Sequence, residues 1–169
     1  FFASSVSCTL FKLRSINVFL AGEARVPGSY SVSALSTVSQ LLFTAGGVSE
    51  IGSLRNITIK KSSGNESNFD LYKLIAEGDI SGDIRLQSGD VVFIPTTSKL
   101  VIIDGAVKRP GRYELLQDDD ISDLISLAGG TENRAYLRKI SIERYDQNKD
   151  FPVIENLDLL DTSASSYKL

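Results

Sequence analysis

The sequence contains no histidine, no methionine, no tryptophan and a single cysteine. Without histidine there is no Ser-His-Asp or Cys-His catalysis, no His-ligated metal and no imidazole pH switch. One cysteine allows neither an internal disulfide nor a Cys-cluster zinc site. Cys8 reads as a small buried hydrophobe rather than a reactive thiol. Long apolar runs are also missing. Nothing approaches the ~18 residues that span a bilayer, and Phe1 to Cys8 lacks the basic and continuous apolar regions of a signal peptide. Because methionine is absent, position 1 is not expected to be a translation start, and a longer parent is expected. Excess positive charge is lacking as well: 18 Lys and Arg stand against 21 Asp and Glu, a net −3. No nucleic-acid partner is expected, since such binding runs on Lys and Arg neutralising phosphates.

What remains is a chain of 169 residues with 42% hydrophobic side chains. That is enough for a folded core, in one domain or two small ones. An internal repeat decides between these. An offset of 83 carries Gly22 onto Gly105, Pro27-Gly28 onto Pro110-Gly111, and Tyr30 onto Tyr113. It also carries Ala45-Gly46-Gly47 onto Ala128-Gly129-Gly130, and Arg55, Ile57 and Ile59 onto Arg138, Ile140 and Ile142. Residues 16–61 and 99–144 share 14 identities in 46 positions without a gap, where chance gives roughly three. The module is duplicated, so the two segments are expected to share one backbone.

Each copy reads the same way. Ile16 to Ala21 and Leu100 to Ile103 are β-branched, apolar strands. A Pro-Gly turn returns each into a second strand through Tyr30 and Val32, or Tyr113 and Leu115. Val38, Leu41, Leu42 and Ala45 recur at helical spacing, as do Ile121, Leu124, Ile125 and Ala128. Thr37 with Gln40 has the capping-box pattern, and Asp120 with Asp123 is its near equivalent. Gly46-Gly47 and Gly129-Gly130 stop the helices. Strands Arg55–Lys61 and Arg138–Arg144 follow, then a turn and partner strand in the first copy, a short helical piece over Leu71–Glu77, and a closing turn and strand over Ile84–Pro95. The fold class expected is α+β: two tandem β-grasp, ubiquitin-like modules, each with one main helix on a mixed sheet of four to five strands. The divisions are 1–15, a lead-in segment with a possible strand; 16–98, the first module; and 99–169, the second.

The second copy runs out of pattern. Asp70 to Leu74 has a looser counterpart in Asn156 to Leu160, but no second Leu-x-x-Gly-Asp-strand follows. The second module is therefore expected to lack its last strand or to take one from elsewhere, with Val6–Leu13 the one spare strand in the chain.

The order Val18-Phe19-Leu20-Ala21-Gly22, Pro27-Gly28-Ser29-Tyr30, a helix ending Ala45-Gly46-Gly47, Arg55 to Ile59, and Leu86-Gln87-Ser88-Gly89-Asp90-Val91-Val92-Phe93-Ile94-Pro95 resembles the SLBB domain, the soluble ligand-binding β-grasp. The second copy resembles it too, through Ile103-Asp104-Gly105, Pro110-Gly111-Arg112-Tyr113 and Ala128-Gly129-Gly130. Tandem SLBB domains mark outer-membrane polysaccharide export proteins of the Wza-like family. The resemblance implies a Gram-negative periplasmic setting associated with the outer membrane, and export of capsular or exopolysaccharide. It also implies a ring-like homo-oligomer and an inner-membrane polysaccharide co-polymerase as partner. The family's N-terminal export domain, lipidated Cys and C-terminal membrane-spanning helix have no counterpart in these residues, which fits a soluble fragment. Other SLBB proteins handle cobalamin, DNA or respiratory electron transfer, so a small-molecule, cobalamin-type binding domain is the alternative.

The ligand-facing group expected is Arg25, Tyr30, Lys108, Arg109, Arg112 and Tyr113 beside the Pro-Gly turns. Tyrosine rings stack on apolar sugar faces, and Arg and Lys pair with acidic sugars. Pro27, Gly28, Gly46, Gly47, Pro110, Gly111, Gly129 and Gly130 are read as structural turns, because phosphate loops precede a helix and these glycines follow one. Asp118, Asp119, Asp120 and Asp123 lack the spacing and glycine of an EF-hand loop. They are read as a favourable helix N-terminus rather than a metal or catalytic site. No enzyme activity, metal or cofactor is expected.

Overall fold

The computed structural model describes residues 14–145, 151–160 and 167–168. Cys8 and Val6–Leu13 lie outside the described residues. The chain divides into two compact units between Thr97 and Ser98. Each is α+β.

In the first unit, β1 (Ser15–Gly22) alternates strictly, with Ile16, Val18 and Leu20 facing inward and Phe19 outward. Such a strand has one face for a core and one for solvent. It pairs antiparallel with β2 (Gly28–Ser33), Val18 opposite Tyr30. The helix α1 (Val38–Thr44) follows, with the Gln40 carboxamide oxygen accepting from the Thr37 amide at 3.3 Å. Next come β3 (Ile57–Lys60), β4 (Glu66–Phe69), a single π-helical turn over Lys73–Glu77, and β5 (Val91–Ile94). The sheet order is β2-β1-β5-β3-β4. β5 runs parallel to β1 and antiparallel to β3, so the last strand in sequence is the middle strand in space. Val38, Leu41 and Leu42 of α1 pack on Val18, Leu20, Ile57, Ile59, Val92 and Ile94, and all nine are buried. Each such side chain contributes ~1.5–3 kcal/mol.

The second unit repeats the parts. They are β6 (Leu100–Ile103), β7 (Gly111–Glu114), α2 (Ile121–Leu127), β8 (Ile140–Tyr145) and β9 (Pro152–Leu157). The sheet differs. Its four described strands stand as two antiparallel hairpins, β6-β7 and β8-β9, where the first unit has one mixed sheet of five. The cause is visible by comparison: β5 joins β1 to β3 in the first unit, and no described residue does so between β6 and β8.

The second hairpin is also longer. Ile57 pairs with Phe69, twelve positions on, whereas Ile140 pairs with Leu157, seventeen positions on. Asn156 and Leu157, expected to open a helical piece, therefore belong to β9, paired with Ser141 and Ile140. The offset of 83 then returns. Val38 donates to the Ile84 carbonyl and Ile121 to that of Tyr167, while Thr37 bridges Arg85 and Asp120 bridges Lys168.

Candidate functional site

The residues expected to face a ligand gather at one end of each module, where the hairpin loop meets the end of the helix. Gly46 and Gly47 take φ of +82° and +91° just after the Ala45 cap. The Gly47 amide reaches the Leu42 carbonyl at 2.8 Å and the Gly46 amide that of Phe43 at 3.1 Å. This is a Schellman end, which satisfies carbonyls the helix leaves open. Gly129 and Gly130 repeat it, reaching Ser126 and Ile125 at 2.8 Å each. The glycines are helix stops, as their place in the sequence implies.

The hairpin loop is fastened to that stop. The Arg25 amide donates to the Gly47 carbonyl at 3.0 Å, and Ala24 bridges Val48. In the second module Lys108 donates to Gly130 at 3.0 Å, and Val107 bridges Thr131. Each loop is also closed on itself. The Tyr30 hydroxyl donates to the Val26 carbonyl at 2.6 Å, and the Tyr113 hydroxyl to the Arg109 carbonyl at 2.7 Å. Both rings are half-buried with their hydroxyls engaged, so Tyr30 and Tyr113 shape the loop and offer only ring surface outward.

Among the cations, Arg109 spans the helix end. Its Nη2 donates to the Leu127 carbonyl at 3.0 Å, where a positive charge meets the negative pole of α2. A Cβ on Gly129 would stand 3.2 Å from the Arg109 Nε, so this position favours a residue without a side chain for space as well as for φ. The aliphatic part of Arg25 lies over Gly46 in the same way, at 3.4 Å from a Cβ there. Arg25, Lys108, Arg109 and Arg112 are all exposed, as are Pro27, Gly28 and Pro110, with Gly111 half-buried. The first module thus presents Arg25, and the second Lys108, Arg109 and Arg112, on a loop fastened to the helix stop beside a partly exposed tyrosine ring. The geometry suits hydrogen bonding to an anionic or hydroxyl-rich ligand at a surface.

The acidic run is occupied locally. Asp120 accepts from Ser122 and Asp123 amides at 2.8 and 3.1 Å, and Asp123 accepts from the Asp120 amide at 3.0 Å. Asp119 accepts from the Leu116 amide at 2.8 Å. Among the described residues no three His, Cys, Asp or Glu side chains gather as a metal would need, and no helix is long and apolar enough to cross a membrane.

One buried charge was not singled out from the sequence. Asp90 is fully buried and accepts from Lys61 Nζ at 2.8 Å, the Gln87 amide at 2.8 Å and the Ser62 amide at 3.0 Å. Burial pushes its carboxyl up, but the Lys61 ammonium and the two amides outweigh this and hold it below the usual range. Its signal was the Ser88-Gly89-Asp90 run before an apolar strand, read only as a turn.

Models of the SLBB domain match twice, over residues 17–94 and 100–154. The chain belongs to the SLBB domain family and carries the domain in tandem. Among individual proteins, it is similar to the polysialic acid transport protein KpsD of Escherichia coli, 23% identical over 175 residues. The match takes in 96% of this chain and 31% of KpsD, so the chain spans about a third of the length of the curated relatives it matches.

Proposed function

We propose that this chain is the two-module binding and assembly portion of a bacterial polysaccharide export protein, without catalytic activity. The observation that carries the reading is one match that takes in 96% of this chain, both modules in order, to a polysialic acid transport protein. The full protein works in the periplasm in association with the outer membrane. It assembles as a ring-like homo-oligomer, meets an inner-membrane polysaccharide co-polymerase, and passes a capsular or exopolysaccharide. Arg25, Lys108, Arg109 and Arg112, with the ring faces of Tyr30 and Tyr113, contact the passing glycan. The exposed cations beside rigid loops support that assignment, because weak exposed charge pairs let a polymer slide rather than lodge. The test is an NMR titration of the chain with oligosialic acid, a neutral oligosaccharide and cobalamin. The expected result is salt-sensitive shifts at Arg25, Lys108, Arg109 and Arg112 with the acidic glycan, reduced at least ~3-fold in Lys108→Ala/Arg112→Ala, as for exposed charges. Saturable cobalamin binding, or no response to either glycan, overturns it.

A further inference from the structure

We propose that the solvent-facing side of the first module's sheet is a glycan platform, on which uncharged pyranose rings of the exported polysaccharide lie against Phe19 and Phe93. The proposal rests on the export reading above and adds to it a second contact of different chemistry. β1 turns Ile16, Val18 and Leu20 inward, so Asn17, Phe19 and Ala21 stand on the opposite side. Strand pairing sets the outward residues of the neighbouring strands beside them. Phe19 lies between Ser29 of β2 and Val91 of β5, and Asn17 lies opposite Ser31. Phe93 of β5 lies between Ala21 of β1 and Thr58 of β3. Although β1 and β5 are interior strands of the sheet, Phe19 is 49% exposed and Phe93 40%. A Cβ on Gly22 would stand 3.1 Å from the Phe93 Cε2, so that ring reaches across onto β1 at the end that leads to the Arg25 loop.

The surroundings of the two rings decide the occupant. Asn17, Ser29 and Ser31 are exposed on one side of them, and Asn68, opposite Thr58, on the other. Among the described residues no charged side chain projects from this side of β1, β2 or β5. Lys60 stands farther out on β3 and is paired with Glu66 of β4 at 3.1 Å. An aromatic centre fringed by hydroxyl and carboxamide groups matches a pyranose ring, which has C–H groups on its faces and hydroxyls around its rim. A charged peptide partner finds nothing to pair with on these three strands. The fold does not require the pattern: Phe19, Ala21 and Ser29 are replaced in the second copy by Ile102, Asp104 and Arg112, which offer neither the ring nor the neutral fringe. The platform is also continuous with the basic loop. From Phe19 the chain reaches Arg25 in six residues, at most about 20 Å. One glycan thus rests its ring faces on Phe19 and Phe93 while presenting acidic groups to Arg25.

The test is an NMR titration of the 169-residue chain with cellohexaose, a flat, uncharged glycan. The expected result is saturable shifts at Phe19, Ala21, Ser31 and Phe93 that persist in ~1 M NaCl, where charge contacts are screened to within about 3 Å. Phe19→Ile, the second module's own residue at this place, keeps an apolar strand side chain and lowers the affinity at least ~5-fold. Ala21→Asp, likewise taken from the second module, sets a charge beside both rings and lowers it as much. Absence of salt-insensitive shifts at Phe19 and Phe93 overturns the platform, and a response of the basic loops to oligosialic acid in that case leaves the export reading standing. Unchanged affinity in both variants overturns it as well. So does movement of the same resonances when the free chain is diluted, the sign of a second copy covering this side of the sheet.

Discussion

At the residue scale, Asp90 decides how the first module closes. Its carboxylate ties β5 to the turn after β3 by gathering Lys61, Ser62 and Gln87. The folded-state pKa is depressed, so its contribution is fully present above the unfolded value near 3.8. It is lost as pH falls through the lower folded value, because only the native state then resists the proton. Acid titration of unfolding is expected to show no pH dependence from Asp90 between pH 7 and 5, and falling stability of the first module below about pH 4. Asp90→Asn removes that acid slope and lowers stability at pH 7 by about 1.5–3 kcal/mol, the range for hydrogen bonds to a charged group. A variant as stable as the wild type at pH 7 would show that the buried pair does not hold the strand.

At the scale of elements, the two helices occupy equal positions in unequal surroundings. Leu41 is fully buried against a complete sheet, while Leu124 is 4% exposed and floors an open trough between β6 and β8. Truncation leaves a cavity beneath a closed sheet in one case and widens an existing opening in the other. Denaturant unfolding of Leu41→Ala should therefore show a loss of about 3–5 kcal/mol, and of Leu124→Ala about 1–2 kcal/mol less than that. Equal losses would mean that the trough does not relieve the packing of α2. These helices, their Gly-Gly ends and the Pro-Gly hairpins were legible in the sequence because their determinants are local. Apolar spacing, caps and turn residues all lie within a few positions. The β9 register was not legible, since five additional positions between Ile140 and its partner leave no local mark. Nor could the residue types show where the Tyr30 and Tyr113 hydroxyls go. Both reach a carbonyl four residues back, which only the folded loop supplies. The six residues expected to face a ligand were grouped in the sequence because the repeat places them beside the same turns. Of these, Arg109 is anchored across the end of its helix, Arg25 lies over Gly46 and the Lys108 Nζ stands 4.0 Å from a Cβ on Gly130, while Arg112 is exposed.

At the scale of the whole molecule, the described residues show one duplicated module with two arrangements of its strands. The first has its last strand in the middle of its sheet, so its closure depends on pairing between residues far apart in sequence. The second keeps two hairpins and a helix, each local, with four inward side chains half-buried. If each of Val101, Ile103, Ile140 and Ile142 forgoes about 1 kcal/mol of burial, the second module is weaker by about 4 kcal/mol. For a domain of this size that corresponds to roughly 15–30 °C in Tm. Calorimetry of the 169-residue chain is expected to show two transitions separated by that interval. Asp90→Asn should lower the upper one alone, and Ile142→Ala the lower one alone. A single transition lowered by both variants would mean that the modules melt as one cooperative unit. Ile142→Ala acting on the upper transition would reverse the order of stability.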